Sequence, residues 1–187
     1  MAPCWGRSVG DILTYQQELT RTMNELSKNK KVIFLGQSVF YGDGSYRTLL
    51  DVPQNQKIEM PVAEDMQMGI SIGLALQGFI PVTIYPRMDF LILAINQLVN
   101  HLDKLDEMSK GEFKPKVIIR CIVGQKKPLY PGLQHCQDYT DMLKSVLTNI
   151  DVVKLENKDM IFSSYMKALH SDKSTVLVEL KELYASE

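Results

Sequence analysis

Apolar runs too short for helices recur along the chain, separated by stretches whose apolar residues return every three or four positions. The runs at 32–35, 58–60, 80–85, 117–123, 151–155 and 175–180 read as strands. Helical spacing is expected from 8 to 29, capped by Ser8, with Ile12, Leu13, Leu19, Met23 and Leu26 on the apolar face. It returns at 65–77, 87–108, 138–147 and 159–170. The stretch 87–108 reads as the longest helix. Leu91, Ile95, Leu98, Leu102 and Leu105 form a stripe that Met88, Ile92 and Val99 widen, which implies burial on more than one side. Strands alternating with helices predict a single α/β domain over 1–187, a three-layer α/β/α arrangement around a mostly parallel sheet. Such sheets bind ligands at the carboxyl ends of their strands, so active residues are expected in 36–44, 61–65, 86–90 and 124–137.

Within that frame, Met60 to Gly69 carries most of the interest. A short apolar run ends at Pro61, and Glu64 and Asp65 follow at the start of a helix. Taken alone, Glu64 reads equally as a helix-end or solvated acid. Gly69 and Gly73 lie four apart on one helix face, where each glycine costs about 1 kcal/mol against alanine. Two readings follow: a helix pressed tightly on its own sheet, or a subunit interface. Gly42-Asp43-Gly44 reads as a turn, because neither a dinucleotide nor a Walker loop surrounds it and no Asn-Asn pair follows. Of the histidines, His101 and His170 fall on helices without partners at metal-ligand spacing, whereas His135 sits in a post-strand loop, suited to handling protons. Its neighbour Cys136 is not read as a nucleophile, since adjacent extended residues point apart.

Composition narrows the partners. A net charge of −1 gives no electrostatic case for nucleic acid or an anionic membrane surface. The longest apolar stretch, 70–85, is broken by glycines, Gln77 and Pro81, so no membrane span is expected. Three cysteines without a C-x-x-C point to a reducing compartment, the cytoplasm. The segment 1–10 shows no apolar core of a secretory signal. No metal-ligand constellation is expected.

Seen together, several stretches resemble a known family. They are Val32 to Gly36; Met60 to Glu64 with Gly69, Gly73 and Gly78; Phe90; Ala94 to His101; Met108 to Gly111; Val117 to Arg120; Gln134 to Gln137; and Val176 to Tyr184. The chain is similar to the β subunit of thiamine-diphosphate-dependent 2-oxo acid dehydrogenases, in the pyrimidine-binding module of the transketolase/pyruvate dehydrogenase β family. The resemblance implies the thiamine-diphosphate-binding fold. It implies that Glu64 bonds the aminopyrimidine ring nitrogen as a largely buried carboxyl sharing a proton with it. Phe90 would pack on the pyrimidine face, and His135 would face substrate and intermediates. The Gly69/Gly73 helix would pack between two β subunits.

The resemblance also implies a split site. Thiamine diphosphate would be held between this chain and an α-type partner carrying the diphosphate and Mg2+ site, in an α2β2 assembly. The reaction would be decarboxylation of a pyruvate-like 2-oxo acid and transfer of the acyl or aldehyde unit. A transketolase-like or acyloin-forming carboligase, and a catalytically silent subunit of the same fold, are the alternatives. The departures fall around the pocket. Gln37 stands where the family has an acid, Cys121-Ile122 replaces Gly-Pro, and 125–131 replaces a glycine-rich loop. Gln37, Lys126 and Lys127 are thereby candidates for substrate contact, with a solvated basic turn as the alternative for the lysines. Residues 155–159 match the family's potassium loop only in part, so no metal is assigned there. The family's further domain after the last strand has no counterpart before Glu187, so the resemblance implies either a separate polypeptide for it or an enzyme that does without it.

Overall fold

A computed structural model describes residues 13–41 and 44–186. The Ser8 cap, Ile12, Cys4, the reading of 1–10 and the first two residues of the Gly42-Asp43-Gly44 turn lie outside the described residues. Six strands form one sheet in the order β2-β1-β3-β4-β6-β5. They are Val32–Gly36 (β1), Lys57–Glu59 (β2), Ile80–Tyr85 (β3), Ile118–Val123 (β4), Asp151–Leu155 (β5) and Thr175–Leu180 (β6). Every strand pairing is parallel, so the expected mostly parallel sheet is a wholly parallel one.

The central strands are mostly apolar because both of their faces are covered. Alternate residues point to opposite faces. Phe34, Val82, Ile84, Ile118 and Leu177 share one core with Leu19 and Met23 of α1 (Tyr15–Ser27) and Ile161 and Tyr165 of α6 (Asp159–His170). Tyr85, Ile119, Cys121, Val176 and Val178 face the other way, onto Met68 and Ile72 of α2 (Glu64–Leu76) and onto Leu91, Leu98 and Leu102. Gly36 closes β1 at φ 155°, and a Cβ there would stand 2.5 Å from the Ile84 carbonyl oxygen of β3. Only glycine allows the chain to turn off the sheet at that approach.

Two helices differ from expectation. α1 starts at Tyr15, not near residue 8. Thr14 Oγ1 accepts from Gln17 N at 3.3 Å and Gln17 Oε1 accepts from Thr14 N at 2.8 Å, a reciprocal cap that outcompetes continuation. The single long helix expected over 87–108 is wound in pieces. Met88–Leu91 (α3) is α-helical, Ile92–Ala94 is 3-10, Gln97–Leu102 is π and Leu105–Met108 (α4) is α again. Long-range bonds fasten this stretch at both ends of the wide turn. Gln97 Nε2 donates to Asp65 on α2 at 3.3 Å, and the buried Asp103 carboxylate accepts the backbone N–H groups of Thr148 and Asn149. A broad apolar stripe fits several windings, and these bonds select one. The shorter α5 (Thr140–Val146) covers the approach to β5.

A charged network is sealed within the α1/α6 side. The fully buried Arg120 forks onto Glu179, with Nε at 2.7 Å from Oε1 and Nη2 at 3.0 Å from Oε2. Its Nη1 donates to Thr48 at 2.8 Å, and Tyr165 and Tyr184 donate to the same carboxylate at 2.6 and 2.5 Å. Burial draws the guanidinium's proton affinity down, but the Glu179 carboxylate and the two tyrosines outweigh it and hold Arg120 above its ordinary value. Burial, then the Glu179 charge, pushes both phenols far up, so they stay donors.

Candidate functional site

Glu64 is the first residue of α2, where the free N–H groups of a helix start favour a carboxylate. It is only 4% exposed although it stands at the carboxyl edge of the sheet. Gln67, one turn further, donates from Nε2 to Thr83 Oγ1 at 2.9 Å and to Ile84 O at 3.0 Å, which pins the helix start to β3. Tyr85 Oη donates to the Glu64 carbonyl at 3.4 Å. Burial pushes the Tyr85 phenol far above its ordinary value, so it remains a donor.

Gln37, a candidate for substrate contact, lies against Glu64: its Nε2 donates to Glu64 Oε1 at 2.9 Å. The loop that carries it is itself held by a carboxylate. Glu59, at the end of β2, accepts from the backbone N–H groups of Ser38 at 2.6 Å, Phe40 at 2.8 Å and Tyr41 at 3.2 Å. An amide donor beside Glu64 fixes one carboxylate oxygen without bringing a second acid to compete for the proton.

Phe90 and His135 meet edge to face, with ring centroids 5.6 Å apart. Phe90 comes from α3, just past β3, and His135 from the loop after β4, which folds closely over Gly124: a Cβ on Gly124 would collide with the His135 carbonyl oxygen. Lys126 and Lys127 lie exposed in the same loop as His135. Gly69 and Gly73 of α2 face open space; a Cβ at either meets nothing within 4 Å. Met66 and Ile70 are exposed beside them, at helical spacing along α2. These glycines are therefore not sites where the chain's own sheet presses close.

Sequence reasoning missed two residues at this edge, Arg87 and Asp89. Arg87, Asp89 and His135 carry buried side-chain atoms without hydrogen-bond partners: Arg87 Nη1, both Asp89 oxygens and His135 Nδ1. The signal was present, since two charges follow directly on the apolar run 80–85, but that segment read as a helix start. A cavity of about 580 Å3 lies elsewhere, beside edge strand β5 among Asp138, Lys144, Lys154 and Glu156, and holds none of these residues. No group of acids, histidines and cysteines suited to a metal ion occurs among the described residues. No helix among them is long and apolar enough to cross a membrane.

The residues at this edge fit the pyrimidine half of thiamine diphosphate. Glu64 offers a buried acid to a ring nitrogen, Phe90 an aromatic face, and His135 a ring nitrogen without a partner among the described residues.

Comparison with known proteins adds an independent line. No family model matches. The chain is 30% identical over 131 residues to the pyruvate dehydrogenase E1 component subunit beta of Gracilaria tenuistipitata var. liui, covering 68% of this chain and 40% of that protein. It is 26% identical over 178 residues to subunit beta-4, chloroplastic, of the same component from Oryza sativa subsp. japonica, covering 93% of this chain and 44% of the relative. The chain thus spans less than half the length of these curated relatives. Among solved structures, a split gene transketolase in an inactive beta4 tetramer superposes with a TM-score of 0.68 at 18% identity, over 89% of this chain and 50% of that one. Transketolase from Campylobacter jejuni subsp. jejuni gives 0.70 at 15% identity, over 89% and 25%. At such identities these two speak for the fold.

Proposed function

The chain is a relative of the transketolase/pyruvate dehydrogenase β family in the part that forms its pyrimidine-binding module, and on that footing we propose that it is the β-type subunit of a thiamine-diphosphate-dependent enzyme. The proposed reaction decarboxylates a pyruvate-like 2-oxo acid and passes on the acyl or aldehyde unit. One observation carries the reading: a buried Glu64 at the carboxyl edge of a parallel sheet, its Oε1 held by Gln37 at 2.9 Å.

The cofactor supplies the electron sink that decarboxylation needs. The chain's own residues do the rest on their side of the site. Glu64 holds or shares a proton at the aminopyrimidine nitrogen, Gln37 fixes the orientation of that carboxylate, and Phe90 supports the ring. His135 presents Nδ1 toward substrate. The diphosphate and Mg2+ belong to an α-type partner, so the site is shared and inactive in either chain alone. The open face of Gly69 and Gly73, flanked by Met66 and Ile70, supports self-association of this chain within an α2β2 assembly. The described cysteines, Cys121 and Cys136, are free, which fits a reducing compartment such as the cytoplasm.

The test is reconstitution with an α-type chain, thiamine diphosphate and Mg2+ against a panel of 2-oxo acids. Lipoamide or a second carbonyl compound serves as acceptor and separates the dehydrogenase from the carboligase reaction. Turnover is expected only when both chains are present. Turnover by this chain alone would refute the shared site, and none in any combination would favour a silent subunit.

A further inference from the structure

Four of the eight buried side-chain atoms without a partner among the described residues fall on Arg87, Asp89 and His135. The rest are single atoms on Thr22, Asn24, Ser45 and Gln56. Buried donors and acceptors are ordinarily satisfied, and a guanidinium N–H left bare is costly. Arg87 Nη1 and the His135 backbone border the same point. Nη1 lies 2.8 Å from where a Gly124 Cβ would be, and the His135 carbonyl oxygen crowds that position. A bare cationic donor and the backbone of His135 therefore border Gly124, and the His135 ring, with its own bare Nδ1, packs on Phe90.

The backbone around Arg87 is arranged at a cost. Ser45, Tyr46 and Arg47 take successive left-handed conformations with φ of 52°, 55° and 65°. A residue with a Cβ takes this conformation only at a steric cost. That turn sets the Tyr46 ring beneath the Arg87 guanidinium, 6.0 Å from centroid to Cζ, and lets Tyr46 Oη donate to the Pro86 carbonyl at 3.2 Å. Strain of this kind persists where the surroundings impose it, and it clusters at ligand clamps. Here it positions an arginine while leaving one of its nitrogens bare.

We propose that Arg87, at the point where the His135 backbone meets Gly124, receives the anionic end of the substrate. For the 2-oxo acid of the functional reading, on which this inference rests, that end is the carboxylate. Arginine suits the task because it is charged at any working pH and its planar fork matches a carboxylate. The exposed Lys126 and Lys127 are then peripheral to recognition. Asp89 lies two residues from Arg87, and its charge acts on Cys121 beneath the sheet edge, where burial first, then Glu179, Asp138 and Asp89, push the thiol up.

The test compares pyruvate with its neutral amide, pyruvamide, in NMR titrations of the reconstituted complex without thiamine diphosphate. Cofactor affinity is measured separately. Arg87→Met is expected to weaken pyruvate binding roughly ten- to hundredfold, the contribution of a charge-assisted hydrogen bond. Pyruvamide and thiamine diphosphate should bind as before, and Arg87→Lys should recover part of the pyruvate affinity. An unchanged preference for pyruvate over pyruvamide in Arg87→Met overturns the subsite. So does a pattern in which Arg87→Met and Asp89→Asn each destabilise the chain, the double variant restores it, and pyruvate preference stays constant, since Arg87 would then serve Asp89 alone. A wild-type complex that binds thiamine diphosphate but does not distinguish the two ligands also overturns the subsite, leaving the functional reading in place. A complex that does not bind thiamine diphosphate removes both.

Discussion

Two arginines, one within β4 and one just past the end of β3, live in opposite circumstances. Arg120 is wholly buried, forks onto Glu179, and shares that carboxylate with two tyrosines. Arg87 has a buried nitrogen with no partner, and His135 a bare Nδ1. A buried charge costs several kcal/mol unless it is paired, so a charge satisfied from within the chain belongs to the fold. One left unsatisfied at the carboxyl ends of parallel strands is set for something the chain does not contain. Glu64 stands between these cases: Gln37 holds one of its oxygens, and its place is at the open edge.

The comparison can be pushed from both ends. The largest effect is expected at the open end: Glu64→Gln should cut turnover of the reconstituted enzyme by roughly 10²–10⁴, the scale of a lost proton-transfer group. Its urea midpoint and its assembly with the partner should not change. A variant that unfolds instead would move Glu64 to the side of Arg120.

At the closed end, Arg120→Met strands Glu179 in the core and should cost about 3–5 kcal/mol in urea unfolding. Any effect on ligand preference should follow the loss of folded protein. Asp103 offers a milder version. Burial raises its carboxyl, but the Lys104 bond, the Asn149 N–H and the Thr148 bonds outweigh that and hold it below the usual carboxylate range. Asp103→Asn should cost about 2 kcal/mol at neutral pH. A depressed folded value means that the Asp103 contribution is complete above the unfolded carboxylate pKa and is lost as pH falls through the folded one. The gap between wild type and variant should therefore close as pH drops below about 4. A gap that widens in acid would mean the bonds do not favour the ionised form.

The smallest effect has the opposite sign. Gly73→Ala adds a Cβ into open space, so the chain itself should gain up to about 1 kcal/mol from helix propensity. Sedimentation should show weaker self-association if that face is a contact. Unchanged association would remove α2 from the interface.

Much of the fold could be read from the pattern of residues because burial on two faces leaves a plain mark. The strands at 80–85, 151–155 and 175–180 and the helix at 159–170 lie where apolar runs and helical spacing put them. What escaped was decided by distant partners. Arg120 appeared as a break in an apolar strand, and its pairing with Glu179 depends on β4 and β6 lying side by side. The winding of 88–108 depends on Asp65 and on 148–149. At the site, Glu64, Phe90 and His135 were marked by motif. Nothing along the chain shows that the Gln37 amide bonds Glu64, since the two meet only once the strand ends are side by side. Arg87 and Asp89 were passed over because an unpartnered side chain can be recognised only once its surroundings are known.

The central claim is that Glu64 works on the proton chemistry of a thiamine cofactor held partly by this chain. Its most direct test is the exchange of the cofactor's thiazolium C2 proton with deuterium, followed by NMR in the reconstituted complex. Wild type should exchange it at least about a hundredfold faster than Glu64→Gln, at equal cofactor occupancy and equal assembly. Equal exchange rates in the two proteins would contradict the claim.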